Sequence, residues 1–265
     1  NTYSRLQGNI VSINNKGLRS KIDWIDGSKK ILFLGDSVTY GGSDISDDQT
    51  FVSITCDQLT DWECFNGGVN AYGILNMVAR SRYDERLQDD LLRVFTFISA
   101  DFERGLQNES TEHFILIDPP RIFPALWEVG NFVAAMIRPK FWFGKAYKKN
   151  LSEDTIKEQQ LVNQKFSLDV LILEIDRLRS NGKDFLLVHS PTIEELNDPN
   201  LLDNNQIVNT LIQKYPGNFV KLSKALKKPF LKKTNNLFKD CCHFGNMGHF
   251  VVGRYLGKRL SDRLN

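Results

Sequence analysis

Lys30-Ile31-Leu32-Phe33-Leu34-Gly35-Asp36-Ser37-Val38 is the stretch that decides how the chain reads. Ile31 to Leu34 is an uninterrupted apolar run closed by glycine, the pattern of a buried strand that stops at a tight turn. The turn leaves one hydroxyl, that of Ser37, at the carboxyl end of the strand. Open α/β sheets place their ligands there.

A serine hydroxyl is a weak nucleophile until a neighbouring base takes its proton. Asp240-Cys241-Cys242-His243, far downstream, supplies a base from a single loop. A carboxylate on one ring nitrogen fixes the imidazole tautomer and leaves the other nitrogen to face the serine. A competing reading has Asp36 and Ser37 merely capping a helix, as both residue types do. It leaves Asp240 and His243 unexplained. Taken together, the Gly-Asp-Ser turn and the Asp-x-x-His loop resemble the GDSL, or SGNH, serine hydrolases.

Outward from the first strand, strands and helices alternate. Strands are predicted at Lys30–Leu34, Glu63–Asn66, Val94–Ser99, Phe185–His189 and Phe219–Leu222. Helical patterns cover Gln49–Thr60, Ile74–Asp89, Glu153–Ser180, Asn204–Lys214 and Met247–Leu264. Val252, Leu256, Leu260 and Leu264 form one apolar stripe. Leu168, Leu171, Ile172, Ile175 and Leu178 form another, ended by Asn181-Gly182. Repeated strand-helix-strand units imply a parallel sheet covered on both faces, a three-layer α/β/α sandwich. The resemblance implies a flavodoxin-like order for its five strands.

Composition narrows the class. The 265 residues are 41% hydrophobic and 25% charged, with a formal net charge of +2. That is the profile of a globular protein, with no global argument for nucleic acid. No run approaches the roughly eighteen apolar residues of a membrane helix. The chain starts at Asn1 without a signal-peptide pattern, so a processed or excised portion of something longer is expected. Of its four cysteines, Cys241 and Cys242 are adjacent, poor geometry for a mutual bridge. Cys56 and Cys64 either pair or serve as small buried apolar groups. The Cys-Cys-His run suggests zinc, but no second ligand cluster accompanies it, so neither metal nor other cofactor is expected.

The resemblance implies catalytic roles for Ser37, Asp240 and His243. It also implies an oxyanion hole built from the backbone N–H of Ser37 and of Ala71, where the family's usual glycine stands. In the family's third block an asparagine donates the last hydrogen bond. Here Ser99-Ala100-Asp101 leaves Ala100 in its place, and a methyl cannot donate. Either another group substitutes, Asn70 or Ser99, or the site is slow, or the asparagine was replaced to a purpose. Asp36, Asp101, Arg104 and His189 are candidate substrate contacts. Ion pairing of Arg104 with Glu103 or Asp101, and a structural hydrogen bond for His189, are the alternatives. His249 reads as structural and His113 as a solvated loop residue. Lys224–Lys233, with five lysines, reads as a solvated face that can also attract an anionic glycan or lipid head group.

Two stretches break the rhythm. Residues 1–27 are polar and turn-rich. Ile13-Asn14-Asn15-Lys16-Gly17-Leu18-Arg19 is similar to the lead-in of envelope-associated members of the family, and packing along the sheet edge is expected. Residues 28–265 then form the main domain. Within it, Pro119–Asn150 interleaves Phe123, Trp127, Phe132 and Trp142 with Arg138, Lys140, Lys145 and Lys148. It reads as a buried helical hairpin, as a lid or membrane-surface element touching a lipid-linked glycan, or as a stacking platform. The resemblance implies an esterase acting on an acylated carbohydrate or small ester in a bacterial envelope or periplasm. Alternatives are an O-acyltransferase domain and a catalytically weakened carbohydrate-binding protein.

Overall fold

Ile31 and Phe33 point to one side of their strand and Leu32 and Leu34 to the other, and each pair joins a different hydrophobic core. All four are essentially inaccessible to solvent. A strand buried on both faces has to lie inside a sheet with helices on either side, and the computed structural model has that arrangement. It describes residues 2–6, 9–105 and 153–264. The chain divides into two compact units, 1–106 with 163–265, and 107–162. The expectations for Pro119–Asn150 and for His113 lie outside the described residues.

The strands are β1 (Thr2–Leu6), β2 (Asn9–Ile13), β3 (Lys29–Gly35), β4 (Trp62–Gly68), β5 (Leu92–Phe97), β6 (Asp184–His189) and β7 (Phe219–Lys221). β1 and β2 pair as an antiparallel hairpin. The other five form one parallel sheet in the order β4-β3-β5-β6-β7, the flavodoxin-like order. The helices used below are α1 (Ser37–Tyr40), α2 (Phe51–Cys56), α3 (Ile74–Tyr83), α4 (Glu153–Ser180), α5 (Ile193–Asn197), α6 (Gln206–Lys214), α7 (Ser223–Leu231) and α8 (Asn246–Leu264). Phe51 and Val52 of α2, Leu226 of α7, and Val252, Leu256 and Leu260 of α8 cover one face. Ile74 and Met77 of α3, Leu171, Ile175 and Leu178 of α4, and Val208 and Leu211 of α6 cover the other.

Helix ends depart from the sequence expectation for local reasons. α2 stops at Cys56 rather than Thr60, ahead of Asp61, whose backbone is left-handed. The pattern over Ile74–Asp89 breaks at Asp84, an extended residue whose side chain caps a separate short turn, Glu85–Leu87. α7 is a helix the sequence reading did not foresee, because Pro229 lies inside it. Its three lysines, and Lys232 and Lys233 just beyond it, are exposed.

The lead-in reaches the sheet at β4, the edge strand. Arg19 N–H donates to Asn66 O at 2.9 Å. The Arg19 side chain is buried and holds the segment that follows α1. Nε pairs with Asp47 at 2.9 Å, and Nη1 donates to the carbonyls of Tyr40 at 2.8 Å and Gly42 at 2.6 Å. Among the described residues, no helix is long and apolar enough to cross a membrane.

Candidate active site

Gly35 ends β3 where only glycine fits: a Cβ there would lie 2.0 Å from Thr39 Oγ1 and 2.7 Å from Thr96 O. The chain turns at once into α1. Asp36 caps that helix through Val38 N–H, which donates to Oδ1 at 2.8 Å. Gly68, at the end of β4, lets α1 settle against the sheet, since a Cβ there would meet Tyr40 N at 2.3 Å. Ser37 is therefore the first residue of a helix on the carboxyl edge of the sheet, half-buried, with an amide that has no partner inside the helix.

The other half of the site comes from the loop ahead of α8. Phe238 and Phe244 form an antiparallel bridge, and Lys239 N–H donates to His243 O at 2.9 Å. Inside this tight turn Asp240 Oδ1 accepts from the N–H of Cys242 at 3.1 Å and of His243 at 3.0 Å. Burial opposes ionisation of Asp240, but these two amides and the His243 ring hold its carboxyl below the ordinary range. His243 Nδ1 lies 2.9 and 2.8 Å from the two Asp240 oxygens, and Nε2 lies 2.6 Å from Ser37 Oγ. With Nδ1 protonated toward the carboxylate, Nε2 is the acceptor for the serine proton.

A cleft of about 300 Å³ opens over this triad. Ser37, Asp240 and His243 share its lining with Gly42, Asp44, Asn70, Lys239 and His249, among others. Lys239 Nζ reaches Asp44 Oδ2 at 2.7 Å across it. The sequence reading missed Asp44, Lys239 and Arg19 as residues of this neighbourhood. Only the proximity of Lys239 to Asp240 and of Asp44 to Ser37 along the chain hinted at the first two. His249 is buried, its Nδ1 accepts from Phe51 N–H at 3.1 Å, and its ring stacks on Phe51. Burial pushes its pKa down to about 3.

The oxyanion candidates separate clearly. Ala71 adopts φ 65°, the left-handed region that a glycine would enter freely. Among the described residues its N–H donates to no backbone carbonyl. Asn70 is exposed on the cleft wall. Ala100 presents only its methyl, packed against the core on the α2 and α8 side. Ser99 is committed elsewhere. Its hydroxyl donates to Glu195 Oε1 of α5 at 2.7 Å and accepts from Asn205 Nδ2 at 2.8 Å, with His189 Nε2 at 3.1 Å.

Three of the expected substrate contacts do not hold. Asp36, Asp101 and His189 are 1%, 0% and 0% exposed, so none can meet a ligand in this conformation. They form a layer beneath the site. Asp101 Oδ2 accepts from Ile98 N–H at 3.0 Å, and Arg104 Nη1 lies 2.7 Å from Asp101 Oδ1 and 3.7 Å from Asp36 Oδ2. Burial pushes the Asp36 carboxyl up, and burial together with the charge of Asp36 pushes Asp101 up further. Burial lowers the His189 pKa to about 4. Arg104, partly exposed, is held by Asp101 and by the Tyr72 carbonyl at 2.9 Å, the ion-paired alternative. All four cysteines are free thiols.

Neither a family model nor a curated protein sequence matches the chain. Solved structures do. A lipolytic protein of the G-D-S-L family from Veillonella parvula DSM 2008 is 11% identical with a TM-score of 0.53, over 89% of this chain and 100% of that one. Axe2, an acetylxylan esterase from Geobacillus stearothermophilus, is 14% identical with a TM-score of 0.52, over 88% of this chain and 94% of that one. At these identities the likeness is one of fold. The described sheet and its flanking helices are those of the GDSL, or SGNH, hydrolase fold.

Proposed function

We propose that this chain is an SGNH-type serine esterase that removes an acyl group, an O-acetyl in the first instance, from a carbohydrate or related ester. The observation that carries the reading is the continuous relay from Ser37 Oγ through His243, at 2.6 Å, to Asp240 at 2.8 Å. His243 Nε2 takes the proton of Ser37 as its oxygen attacks the ester carbonyl. Asp240 holds the ring and stabilises the imidazolium. The N–H groups of Ser37 and Ala71 receive the oxyanion, with the side chain of Asn70 as the third donor in place of the absent asparagine. His243 then protonates the leaving alcohol, and water resolves the acyl-enzyme by the same route in reverse.

The cleft supports a small acyl group on a polar alcohol. Its volume of about 300 Å³ is at the low end for ligand sites, and Asp44, Asn70 and Lys239 offer hydrogen bonds suited to a sugar. The esterase of similar fold, Axe2, acts on acetylxylan by its name, which favours the same class of substrate.

Labelling with a fluorophosphonate, followed by turnover of p-nitrophenyl acetate, tests the reading. The label should sit on the peptide containing Ser37. Ser37→Ala should abolish labelling and lower kcat by at least about 10³-fold with the fold intact. Equal labelling of the alanine variant would remove Ser37 from the mechanism.

A further inference from the structure

The Asp240–His243 turn carries two thiols for which the ester chemistry has no use. Cys242 Sγ lies 3.9 Å from Asp240 Oδ1 and 3.9 Å from His243 Nδ1. His243 Nδ1 lies 2.8 Å from the nearer Asp240 oxygen, and Cys241 Sγ lies 3.1 Å from Cys242 Sγ. The donor atoms of Asp240, Cys242 and His243 all fall within 4.8 Å of one another. A tetrahedral zinc ion, with bonds of about 2.3 Å to sulfur and about 2.0–2.1 Å to nitrogen or oxygen, separates its donors by roughly 3.3–3.8 Å. The observed separations lie on either side of that spacing. Cys241 Sγ lies outside that group of three, but it sits beside buried Cys242 and is exposed, which gives a cation a way in from solvent and a fourth ligand within a side-chain rotation.

We propose that this turn is an inhibitory site for a thiophilic divalent cation such as zinc, held by Cys241, Cys242, His243 Nδ1 and an Asp240 oxygen. Its consequence for activity rests on the esterase reading above. On binding, each thiol releases its proton to solvent and forms a metal–sulfur bond. The cation takes the Nδ1 lone pair, and the proton that Nδ1 carried passes through solvent to Nε2. A ring protonated on Nε2 cannot accept the proton of Ser37, and Asp240 no longer orients it. The esterase is off until the metal leaves. Adjacent thiolates with imidazole select soft and borderline ions over magnesium or calcium, which prefer oxygen.

Cobalt(II) is a spectroscopic stand-in for zinc. The whole chain should bind one cobalt ion per molecule with a thiolate charge-transfer band in the near ultraviolet. Cys242→Ser should lose the band, and Cys241→Ser should weaken it. Micromolar zinc should inhibit p-nitrophenyl acetate turnover reversibly, with recovery on adding EDTA. Cys241→Ser, with ordinary turnover in the absence of metal, should need at least about tenfold more zinc for the same inhibition. A wild-type protein with no thiolate band would overturn the proposal, as would identical zinc inhibition in Cys241→Ser. The cobalt band does not depend on ester turnover, so failure of the metal site and failure of the esterase reading are told apart. Cys241 is exposed, so its variant keeps the test usable if replacing buried Cys242 unfolds the chain.

Discussion

At the amino ends of the central strands, Arg93 of β5 is fully buried and fully matched. Its guanidinium meets the Asp90 oxygens at 2.7 and 2.9 Å, the Leu87 carbonyl at 2.9 Å and the Ser81 hydroxyl at 2.6 Å. Lys183 joins Asp90 at 2.7 Å. Glu174 of α4 lies 3.8 Å from Arg93 and takes the Ser81 hydroxyl and the Arg177 guanidinium, whose hydrogen bonds outweigh burial and hold its carboxyl low. At the carboxyl ends the buried charges are short of partners. One Asp36 oxygen has no hydrogen bond among the described residues, and its closest cation, Arg104, lies at 3.7 Å. Burial pushes both Asp36 and Asp101 up, and the charge of Asp36 adds to the shift of Asp101. The amino end uses charge to hold the fold. The carboxyl end keeps perturbed carboxyls beneath Ser37, the pattern expected of the proposed active site.

The largest effect should come from breaking the matched end. Arg93→Leu strands Asp90 and part of the Glu174 cluster in the core, and should cost about 3–5 kcal/mol in urea unfolding, much the same from pH 5 to pH 8. Arg104→Met is the counterpart at the other end. Its side chain is 31% exposed, and its carboxyl partners can take up protons, so the loss should be smaller, about 1–2 kcal/mol at neutral pH. It should also depend on pH. Carboxyls raised by burial contribute stability that is complete below their unfolded pKa and is lost as pH rises through the folded value. Removing Arg104 should steepen that loss, widening the gap to wild type between pH 5 and pH 8. Equal pH slopes for the two variants would erase the contrast between the ends.

His189 provides the next test, on the acid side. Burial lowers its pKa from 6.5 to about 4, so the stability it contributes is present above 6.5 and lost as pH falls toward 4. The full span corresponds to something on the order of 3 kcal/mol. His189→Gln, which keeps a polar partner for Ser99, should flatten the urea midpoint across that window. The remaining acid limb should belong largely to His249, lowered to about 3. An unchanged slope in His189→Gln would mean that the imidazole is protonated in the folded state.

Much of the carboxyl end was legible in the sequence, because strands buried on both faces announce themselves as apolar runs. All five sheet strands fell where Ile31–Leu34 and its counterparts indicated, and Ser37, Asp240 and His243 meet. The layer beneath was misread. Asp36, Asp101 and His189 carry residue types common in binding sites, and no local pattern says that they face inward. The amino-end cluster was invisible for a related reason: Arg93 interrupts an apolar strand, and its partners, Asp90, Ser81 and Glu174, come from separate elements. Arg19 was hidden likewise, since its partners lie on the loop after Ser37. The Cys241-Cys242-His243 run was set aside for want of a distant second cluster; the cation site proposed above draws instead on its immediate neighbour, Asp240.

Within the proposed site, Asn70 is the residue that tests how the oxyanion would be held. If its side chain is the third donor, Asn70→Ala should lower kcat on p-nitrophenyl acetate by on the order of 10²-fold. KM should move little, because the bond forms mainly in the transition state. Ala100→Asn should then bring no gain, since its methyl packs on the core beside α2 and α8 rather than on the cleft wall. A rise of about 10²-fold in Ala100→Asn, with Asn70→Ala near wild type, would reverse the assignment and leave the native site one donor short.

The smallest effect concerns Ala71, where the carboxyl end stores backbone strain beside its unmatched charge. A non-glycine residue in the left-handed region costs roughly 1–2 kcal/mol, and φ at Ala71 is 65°. Glycine removes that cost but gives the unfolded chain more freedom to lose. The balance should leave Ala71→Gly more stable by about 0.5–1 kcal/mol, read as a higher urea midpoint with an unchanged slope. The donated hydrogen bond is a backbone one, so both residues supply it and the direct effect on the oxyanion is nil. What glycine loosens is the aim of that N–H before the substrate arrives, and kcat should fall by no more than a few-fold. A variant that is less stable than wild type would mean that the Ala71 methyl makes a packing contact worth more than the strain. The left-handed turn would then be held by its side chain, and the site would resemble the matched amino end more than its opposite.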